Sequence, residues 1–566
     1  MEALQRQAQC REQAQSSTAC SEILSGDQAV ALGALDAGIA FASSYPGTPA
    51  TDILEHLFRV IDPARTKVVW SINEKVAYES ALAVSIGGLR ALVAMKQVGL
   101  NVASDAFMNS CPAGVNGGLV LAVGDEPECH SSQNKQDTRW YRELAGVALL
   151  EPADSQEAYE MTRAAFEWSE EFRIPIILRL TTRTAYGCSP VRRTAPWTGT
   201  TRFAWPKMPN RFFIVPTVSR RLFKSLLERQ ERMAQEMESS KFTIWQECQQ
   251  ESHRKRAILC SGVGFALARE MAPQEWGIMK VPGEPFPEAA LARFVQAHSE
   301  ILVLEEGDAF LERKARLAAP KGCRIRGRLS GDLKLFGELQ KVEVRAVLEG
   351  AKQPTIKLDQ QELPPRLPEI CKPCGYHKVF AAIKQLQNLA TPSDIGCNSL
   401  GGLPPYEVMD GVWAMGSSIG VACGLAALGQ ERILAIIGDS TFYHSGIPPT
   451  LEAVQNGYRM TILLLDNGTA AMTGGQPVPH HTCGAASSPV RLTRLIRALG
   501  VATCKAFDPH RLGIEGIRKL IEDSFSLPGA KVLLYRSQCG LYSPGYFTGH
   551  GQSLKKLEEQ VHAAAL

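Results

Sequence analysis

The chain has 566 residues, of which 45% are hydrophobic and 21% are charged. This composition excludes a disordered or collagen-like protein, and the length allows three or four domains rather than one core. The 61 Lys and Arg residues nearly balance the 58 Asp and Glu residues, so the net charge of +3 argues against nucleic acid or an anionic membrane as the main partner.

The chain contains 15 cysteines, and their chemistry depends on whether the compartment is oxidising or reducing. The first residues lack the apolar core of a secretory signal, and no segment approaches the roughly 18 uninterrupted apolar residues of a membrane span. These features predict a cytoplasmic protein without a membrane partner. In that reducing compartment, cysteines are more often metal ligands, catalysts or buried thiols than disulfides.

Short apolar runs followed by helical stretches recur along the chain, a pattern typical of parallel strands with crossover helices. The predicted strands are 68–70, 91–96, 118–124, 174–180, 257–264, 301–308, 433–440, 460–467 and 531–537. The pattern is lost in a polar, charge-rich stretch after residue 200, and clustered prolines near 364–373 mark a second boundary, since they fit neither helices nor central strands. The sequence therefore predicts an α/β protein of three doubly wound parallel-sheet domains.

The predicted boundaries follow from these composition changes. They are an N-terminal extension 1–23, a first domain 24–200, a linker 201–255 with one or two solvated helices, a smaller domain 256–352 and a last domain 353–566.

The sharpest motif lies at the ends of two strands of the last domain. Gly438, Asp439 and Ser440 end one strand, and Asp466 and Asn467 end the next, about 25 residues later. Oxygen ligands side by side at the carboxyl edge of a sheet suit a magnesium ion that holds a diphosphate. Either dipeptide alone favours a simple turn, but the spacing resembles the signature of thiamine diphosphate enzymes.

A thiamine enzyme also needs a buried carboxylic acid that protonates the aminopyrimidine ring of the cofactor. Glu74 is the candidate, because it lies where the predicted strand 68–70 turns into a helix. A Glu in a first helical turn is by itself better explained by the helix dipole. Because the chain also carries the Asp439 and Asn467 motif, the catalytic interpretation of Glu74 is stronger than the helix-dipole one.

The third motif is Cys371-Lys-Pro-Cys374, followed by Cys397 and by Cys539 after the last predicted strand. Four thiolates at one sheet edge are able to hold a [4Fe–4S] cluster. A zinc site, a redox pair and buried core cysteines remain alternatives on spacing alone.

From about Leu24 onward the chain resembles the large (alpha) subunits of the indolepyruvate ferredoxin oxidoreductases, in the 2-oxoacid:ferredoxin oxidoreductase superfamily. Ten ordered blocks carry the resemblance, among them SSYPGTPATDI, NEKVAYESA, MKQVGLNVASDAFM, DIGCNSLGGLPP, GDSTFYHSGIP and DNGTAAMTGGQP. The resemblance implies two thiamine-diphosphate-binding folds and a smaller domain like the transketolase C-terminal domain.

The resemblance also implies roles for individual residues. Glu74 matches the glutamate that activates the pyrimidine, and the four cysteines match ligands of a single cluster. The remaining implied or plausible positions are Asp439, Asn467 and Thr469 for magnesium and diphosphate, Gly438, Ser440, Gly416 and Ser418 for the cofactor, Thr48 and His444 for catalysis, and His130, Arg139 and Asn101 for substrate or CoA. Thr48 is equally well explained as a helix N-cap.

Two departures from the family pattern stand out. Members usually carry a ferredoxin-like domain with two cysteine-rich motifs, whereas this sequence contains a single CxxC, so we expect at most one cluster and an external electron carrier. Gly468 occupies a position where Arg is common, which alters the pocket for the substrate carboxylate.

The predicted activity is CoA-dependent oxidative decarboxylation of a 2-oxo acid, with an arylpyruvate favoured. A redox-neutral thiamine-dependent decarboxylase or carboligase is the alternative, and a subunit that binds the cofactor only as structure is a third. The resemblance implies a small (beta/gamma-type) partner subunit, ferredoxin or another carrier, and a dimer of heterodimers. The three domains leave no room for that small domain within the chain.

Overall fold

A computed structural model of the chain describes residues 21–199, 202–247, 256–350, 367–480 and 490–542. The chain divides into two compact units, Met1–Leu358 and Asp359–Leu566. Most of the predicted N-terminal extension, residues 1–20, lies outside the described residues. Within the described part of the chain, no helix is long and apolar enough to cross a bilayer.

The first unit contains a seven-stranded sheet that is parallel except at one edge. In spatial order its strands are Gly283–Glu284, Leu149–Leu150, Ile176–Thr181, Leu119–Asp125, Ala91–Lys96, Phe41–Ser44 and Lys67–Trp70. The helices between them are Gly26–Asp36, Thr51–Val60, Glu74–Ile86, Gln97–Ala113, Thr138–Ala145, Ser155–Phe172 and Thr182–Tyr186. The central strands are buried along their whole length, as expected when helices cover both faces. A small antiparallel ribbon joins Ser21–Ser25 to Cys188–Arg192.

A second sheet of five strands belongs to the same unit. Its strands are Arg324–Arg326, Glu300–Leu304, Arg256–Cys260, Gly277–Lys280 and the antiparallel edge strand Ile244–Gln246. Its helices are Val263–Met271, Glu288–Ala297, Phe310–Ala318 and Lys341–Leu348. The short strand Gly283–Glu284 leaves this region and pairs with Leu149–Leu150 of the seven-stranded sheet. The predicted first domain and the predicted smaller domain each contain one of these two sheets, and this short strand pairs between them.

The predicted linker is also part of this unit. It contains the helices Pro209–Phe212 and Pro216–Ser239, and the strand Ile244–Gln246 joins the five-stranded sheet. The long helix buries Leu226, Met233 and Met237 in the core of the seven-stranded sheet. These three side chains share one face of a charge-rich helix, a stripe too sparse to be recognised in the sequence.

The second unit contains a fully parallel six-stranded sheet. Its strands are Gly411–Val412, Pro392–Ser393, Leu434–Gly438, Met460–Asp466, Ala530–Arg536 and Thr503–Phe507. Its helices are Tyr376–Ile383, Ser417–Ala427, Asp439–Thr441, Ile447–Gln455, Leu492–Ala498 and Pro509–Phe525, with a π-helix at Phe442–Gly446 and 3₁₀ helices at Cys397–Gly402 and Ala471–Thr473. A two-residue ribbon pairs Thr469–Ala470 with Gln476–Pro477.

Leu434–Gly438 and Met460–Asp466 are neighbours in register, with Gly438 opposite Leu465. The residues that follow the two strands therefore meet at one edge of the sheet, as their spacing predicts. The parallel sheets confirm the predicted α/β class.

Candidate active site

Glu74 is the first residue of the helix Glu74–Ile86, directly after the N-cap Asn73, and it is buried. The side chain of Glu74 packs directly against Gly99, which lies in the first turn of the helix Gln97–Ala113. A Cβ at Gly99 would lie 2.6 Å from Oε1 and 2.7 Å from Cγ of Glu74. The glycine thus allows the carboxyl group to occupy a fixed position that any side chain would obstruct.

A polar network that the sequence did not indicate follows the strand Ala91–Lys96. The buried amine of Lys96 donates to Ser131 Oγ at 2.7 Å and lies 3.2 Å from Glu126 Oε2. Gln97 Nε2 donates to Ser132 Oγ at 2.8 Å. Burial lowers the pKa of Lys96, and the nearby Glu126 carboxylate opposes this shift. The network fixes the start of the loop 126–137, which carries His130.

Two of the predicted side chains in this unit, Thr48 in a loop and Asn101 in the helix Gln97–Ala113, are not fully buried. Thr48 is half-buried and its side chain hydrogen-bonds to Tyr186. The N-cap of the following helix is Ala50, so Thr48 is not that cap. Asn101 is exposed, and its Oδ1 accepts a hydrogen bond of 2.5 Å from the Tyr141 hydroxyl.

His130 and Arg139 have different environments. His130 is exposed, and its Nε2 lies 3.2 Å from Glu338 Oε1. Arg139 is buried, with its guanidinium bound to Asp137 and Glu305 and to the carbonyl oxygens of residues 306 and 308. The prediction that Arg139 binds a substrate carboxylate or a CoA phosphate therefore gains no support, because its donors are already occupied. The contacts indicate that Arg139 joins the two sheets of the unit.

In the second unit, Asp439 is the first residue after the strand Leu434–Gly438 and is 2% exposed. Its two carboxylate oxygens accept hydrogen bonds from the backbone N–H groups of Ser440, at 2.8 Å, and Gly468, at 2.9 Å. Burial raises the pKa of Asp439 to about 8, and the neighbouring Asp466 carboxylate adds to this shift. A cation bound beside this carboxyl would favour its ionised form and oppose the effect of burial.

Asn467 and Thr469 form the turn opposite Asp439. Asn467 Oδ1 accepts a hydrogen bond of 3.1 Å from the Thr469 N–H, and the Thr469 hydroxyl donates to the carbonyl oxygen of Gln476 at 2.9 Å. Among the described residues, a Cβ at Gly438 would meet only Asn398 Oδ1, at 3.6 Å. The structure thus brings together a carboxylate, a carboxamide and a hydroxyl beside a glycine backbone with free space. Magnesium prefers such oxygen ligands, and the space beside the glycine suits a diphosphate.

Asp394 was not predicted as a site residue, yet it accepts hydrogen bonds from two predicted site residues, Gly416 and Ser418. Its carboxylate accepts hydrogen bonds from the N–H groups of Gly416, at 2.6 Å, and Ser418, at 3.1 Å, and from the Ser418 hydroxyl. Burial raises the pKa of Asp394 to about 6. Gly416 has a φ of 86°, which favours glycine, and Asp394 holds it at the start of the helix Ser417–Ala427.

His444 is buried in the π-helix Phe442–Gly446, which follows the Gly438-Asp439-Ser440 turn. Its Nδ1 lies 2.6 Å from Ser445 Oγ. This contact orients the imidazole ring, and π-helical turns of this kind are frequent at functional sites.

His480 is a further residue that the sequence did not single out. Its Nε2 lies 2.9 Å from Asp466 Oδ1 and 3.8 Å from Asp439 Oδ2. The only signal in the sequence was its position soon after the Asn467 turn, in the run Val478-Pro-His-His.

The four predicted cysteines lie close together in the second unit. Burial raises the pKa of Cys397 to about 12, with further contributions from the sulfur atoms of Cys539, Cys374 and Cys371. Among the described residues, the groups of three or more potential ligands within 4.8 Å of one another do not include these cysteines. The Cys539 N–H donates to the carbonyl oxygen of Asn467 at 3.0 Å, so the cysteine group and the Asn467 turn are directly connected.

Two protein families match separate parts of the chain. A family described as thiamine pyrophosphate enzyme, C-terminal TPP binding domain, matches residues 394–533. A second, described as pyruvate flavodoxin/ferredoxin oxidoreductase, thiamine diphosphate binding, matches residues 32–185.

Curated relatives match over most of the chain. The indolepyruvate oxidoreductase subunit IorA of Methanothermobacter marburgensis is 36% identical, over 88% of this chain and 84% of the relative. The subunit of the same name from Thermococcus kodakarensis is 35% identical, over 94% of this chain and 87% of the relative. A solved 2-oxoglutarate:ferredoxin oxidoreductase from Magnetococcus marinus is 16% identical, with a TM-score of 0.46 over 54% of this chain and 62% of its own. The chain therefore belongs to the IorA family of indolepyruvate oxidoreductase subunits, which are thiamine-diphosphate-dependent enzymes of the 2-oxoacid:ferredoxin oxidoreductase group.

Proposed function

We propose that the chain carries out CoA-dependent oxidative decarboxylation of a 2-oxo acid, an arylpyruvate such as indolepyruvate in preference to others. The electrons pass through one [4Fe–4S] cluster to ferredoxin or another carrier. The observation that carries the proposal is the proximity of four thiols to one another and to the turn that bears Asn467. The names of the relatives support the choice of an arylpyruvate.

The proposed cofactor site is built on the edge of the six-stranded sheet. Asp439, Asn467 and Thr469 hold a magnesium ion and the diphosphate, because they present oxygen donors around a glycine that leaves room for phosphate. Gly438 and Ser440 border the same turn, and Gly416 and Ser418 begin the helix fixed by Asp394. When bound, thiamine diphosphate supplies the electron sink for loss of CO₂ from the 2-oxo acid.

Glu74 has a defined task in this proposal. Its carboxyl group holds a proton for the pyrimidine ring, and a buried, immobile carboxyl is suited to this because its position does not depend on solvent. His444 exchanges protons with the substrate, and the contact of its Nδ1 with Ser445 orients the imidazole ring for that role. Thr48, Asn101 and His130 are proposed to contact substrate or CoA.

The choice of a cluster over zinc rests on the family to which the chain belongs, since its four cysteines match the cluster ligands of the related thiamine domains. Four cysteine thiolates are the usual ligands of a [4Fe–4S] cluster. The raised pKa of Cys397 means that its thiol must lose a proton on binding iron.

Partners follow from the naming of the relatives as subunits. We propose a small (beta/gamma-type) oxidoreductase subunit and a dimer of the resulting pair.

The test is anaerobic co-purification of the chain with its partner subunit. Iron and thiamine content are measured, and viologen reduction is followed with arylpyruvates, pyruvate and 2-oxoglutarate, with and without CoA. The proposal expects about four irons per chain, and viologen reduction that is fastest with an arylpyruvate and requires CoA. An iron-free protein that releases aldehyde without any acceptor would instead establish the redox-neutral alternative.

A matched pair of variants isolates the cluster. Cys374→Ser is expected to remove iron and viologen reduction together, because it deletes one proposed ligand. Cys504→Ser, which changes a half-buried thiol in the strand Thr503–Phe507 of the same unit, is expected to change neither. Full iron content in Cys374→Ser would contradict the assigned ligand set.

A further inference from the structure

The segment 202–227 of the first unit presents a ridge of large apolar side chains to the solvent. Its two halves lie together, because Arg221 in the helix Pro216–Ser239 donates a hydrogen bond to the carbonyl oxygen of Asn210. Scattered exposed apolar residues are common, whereas a patch of large ones marks an interaction site. The side chains of this apolar ridge, all between 39% and 67% exposed, are Phe203, Trp205, Met208, Phe213, Ile214, Phe223 and Leu227.

Contacts with the ends of two helices hold the apolar ridge in place. The Ala204 N–H donates to the carbonyl oxygen of Gly87 at 3.0 Å, and the ring of Phe203 packs directly on Gly87. The Arg211 guanidinium donates to the carbonyl oxygen of Ala113 at 2.7 Å. Gly87 and Ala113 lie at the carboxyl ends of helices that follow strands of the seven-stranded sheet. The ridge is therefore fixed in position near the amino edge of that sheet, away from the proposed cofactor residues at the carboxyl edge.

The apolar ridge is also basic. It contains six Lys and Arg residues, and the sequence from residue 172 to residue 227 contains no Asp or Glu. Because the whole chain has a net charge of only +3, positive charge is concentrated in this segment. Arg202, Lys207, Arg220 and Lys224 are exposed. Aromatic residues, Met and Arg are enriched in protein–protein interfaces, and Asp and Glu are depleted, so the composition of the ridge is that of an interface.

Area and charge restrict what is able to cover the apolar ridge. Its four exposed aromatic side chains, at about 200 Å² each, present roughly 450 Å² to the solvent. A stable protein interface takes about 800 Å² from each partner, of which somewhat more than half is apolar, so the ridge is large enough for one. A symmetric dimer of this chain through the ridge would place like charges opposite one another. The charge therefore favours a different protein with an acidic face.

We propose that the apolar ridge binds the small partner subunit, through a face of that subunit that is apolar at its centre and acidic around it. This inference rests on the proposed function, which includes that subunit, and it adds the surface through which the two proteins assemble. The aromatic side chains supply the contact that excludes water, and the basic side chains orient the partner. Assembly at the amino edge leaves the carboxyl edge of the sheet open to the substrate.

The first experiment uses the complete chain co-purified with its partner subunit. The photoreactive amino acid p-benzoylphenylalanine replaces Phe213 or Phe223 in the ridge. In the control it replaces Leu317, which is 85% exposed on a helix whose other exposed residues are Arg313 and Arg316. After irradiation, mass spectrometry identifies the crosslinked peptides.

The expected result is a crosslink to the small subunit from both ridge positions and none from position 317. A crosslink to a second copy of the chain, or to another segment of the same chain, would identify a different occupant and overturn the inference. The absence of any crosslink from the ridge in the assembled complex would overturn it as well.

The second experiment measures the dissociation constant of the complex by sedimentation on dilution. Trp205→Ser is expected to raise it by about 30-fold or more, as at an interface hot spot, whereas Leu317→Ser leaves it unchanged. Arg220→Glu should weaken binding more at low salt than at high salt, because salt screens exposed charges. Unaltered affinity in Trp205→Ser and Arg220→Glu, with normal iron content and viologen reduction, would show that the inference is wrong and that the proposed function stands. If no small subunit co-purifies with the unaltered chain, both are wrong.

Discussion

Gly99→Ala tests whether the fixed position of Glu74 matters for function. A Cβ at residue 99 would lie 2.6 Å from Oε1, 2.7 Å from Cγ and 2.9 Å from Cδ of Glu74. Carbon atoms in contact normally stay about 3.5 Å apart, so these atoms must separate by roughly 0.6 to 0.9 Å. Rotation of the carboxylate alone does not relieve the contact, because Cγ is also too close. The whole side chain of Glu74 must therefore move.

The magnitude follows from this displacement. A misplacement of about 1 Å at a reacting group reduces a rate by on the order of 100-fold, so we expect Gly99→Ala to be roughly 10- to 100-fold slower. Stability should change little. Alanine is favoured over glycine in a helix by about 1 kcal/mol, which partly offsets a packing cost of about 1–3 kcal/mol.

The assay is the exchange rate of the C2 proton of bound thiamine diphosphate, measured together with urea unfolding. Gly424→Ala is the control, since a Cβ at that helical glycine meets no atom of the described residues within 4 Å. Exchange at the unaltered rate in Gly99→Ala, with thiamine diphosphate bound, would show that the position of Glu74 does not control this step.

Two further predictions concern buried charges of the first unit. Arg179 is fully buried and pairs with Asp125 at 2.6 Å and with Glu151, so Arg179→Met should lower the free energy of unfolding by about 3–5 kcal/mol. A loss below roughly 1 kcal/mol in urea denaturation would refute this. Burial raises the pKa of Glu284 to about 8. From about pH 5 to 8 the folded state keeps a proton that the unfolded chain has lost, so the stability of the native protein should fall relative to Glu284→Gln as the pH rises, by at most about 5 kcal/mol. Parallel pH profiles for the two proteins would contradict the raised pKa.

The sequence predicted the strands within a few residues because buried parallel strands are continuous apolar runs. The predicted strand 91–96 is observed as Ala91–Lys96, and 460–467 as Met460–Asp466. The positions of Asp439 and Asn467 followed, since a residue after a parallel strand has to lie at the carboxyl edge of its sheet. The position of Glu74 was predicted for a similar reason, since it begins a helix shortly after the strand Lys67–Trp70, and its catalytic role stays a prediction.

Contacts between distant segments are what the sequence did not indicate. Within the stretch 201–255, predicted as a linker with one or two solvated helices, the helix Pro216–Ser239 packs on the core through three buried side chains. Arg139, predicted to bind substrate or CoA, contacts Asp137 and Glu305. The strand Gly283–Glu284 of the predicted smaller domain pairs with Leu149–Leu150 of the seven-stranded sheet.

The sequence by itself determined the α/β class and the two motifs typical of thiamine diphosphate enzymes, since periodicity and spacing along the chain are local properties. The set of four cysteines came from the resemblance to the family and stays a prediction. Only the tertiary structure decided which side chains share one environment. It placed Gly99 against Glu74, Asp394 at the helix of Gly416, and His480 between Asp439 and Asp466. Such contacts arise when the chain closes on itself, and residues far apart in the sequence carry no local sign of them.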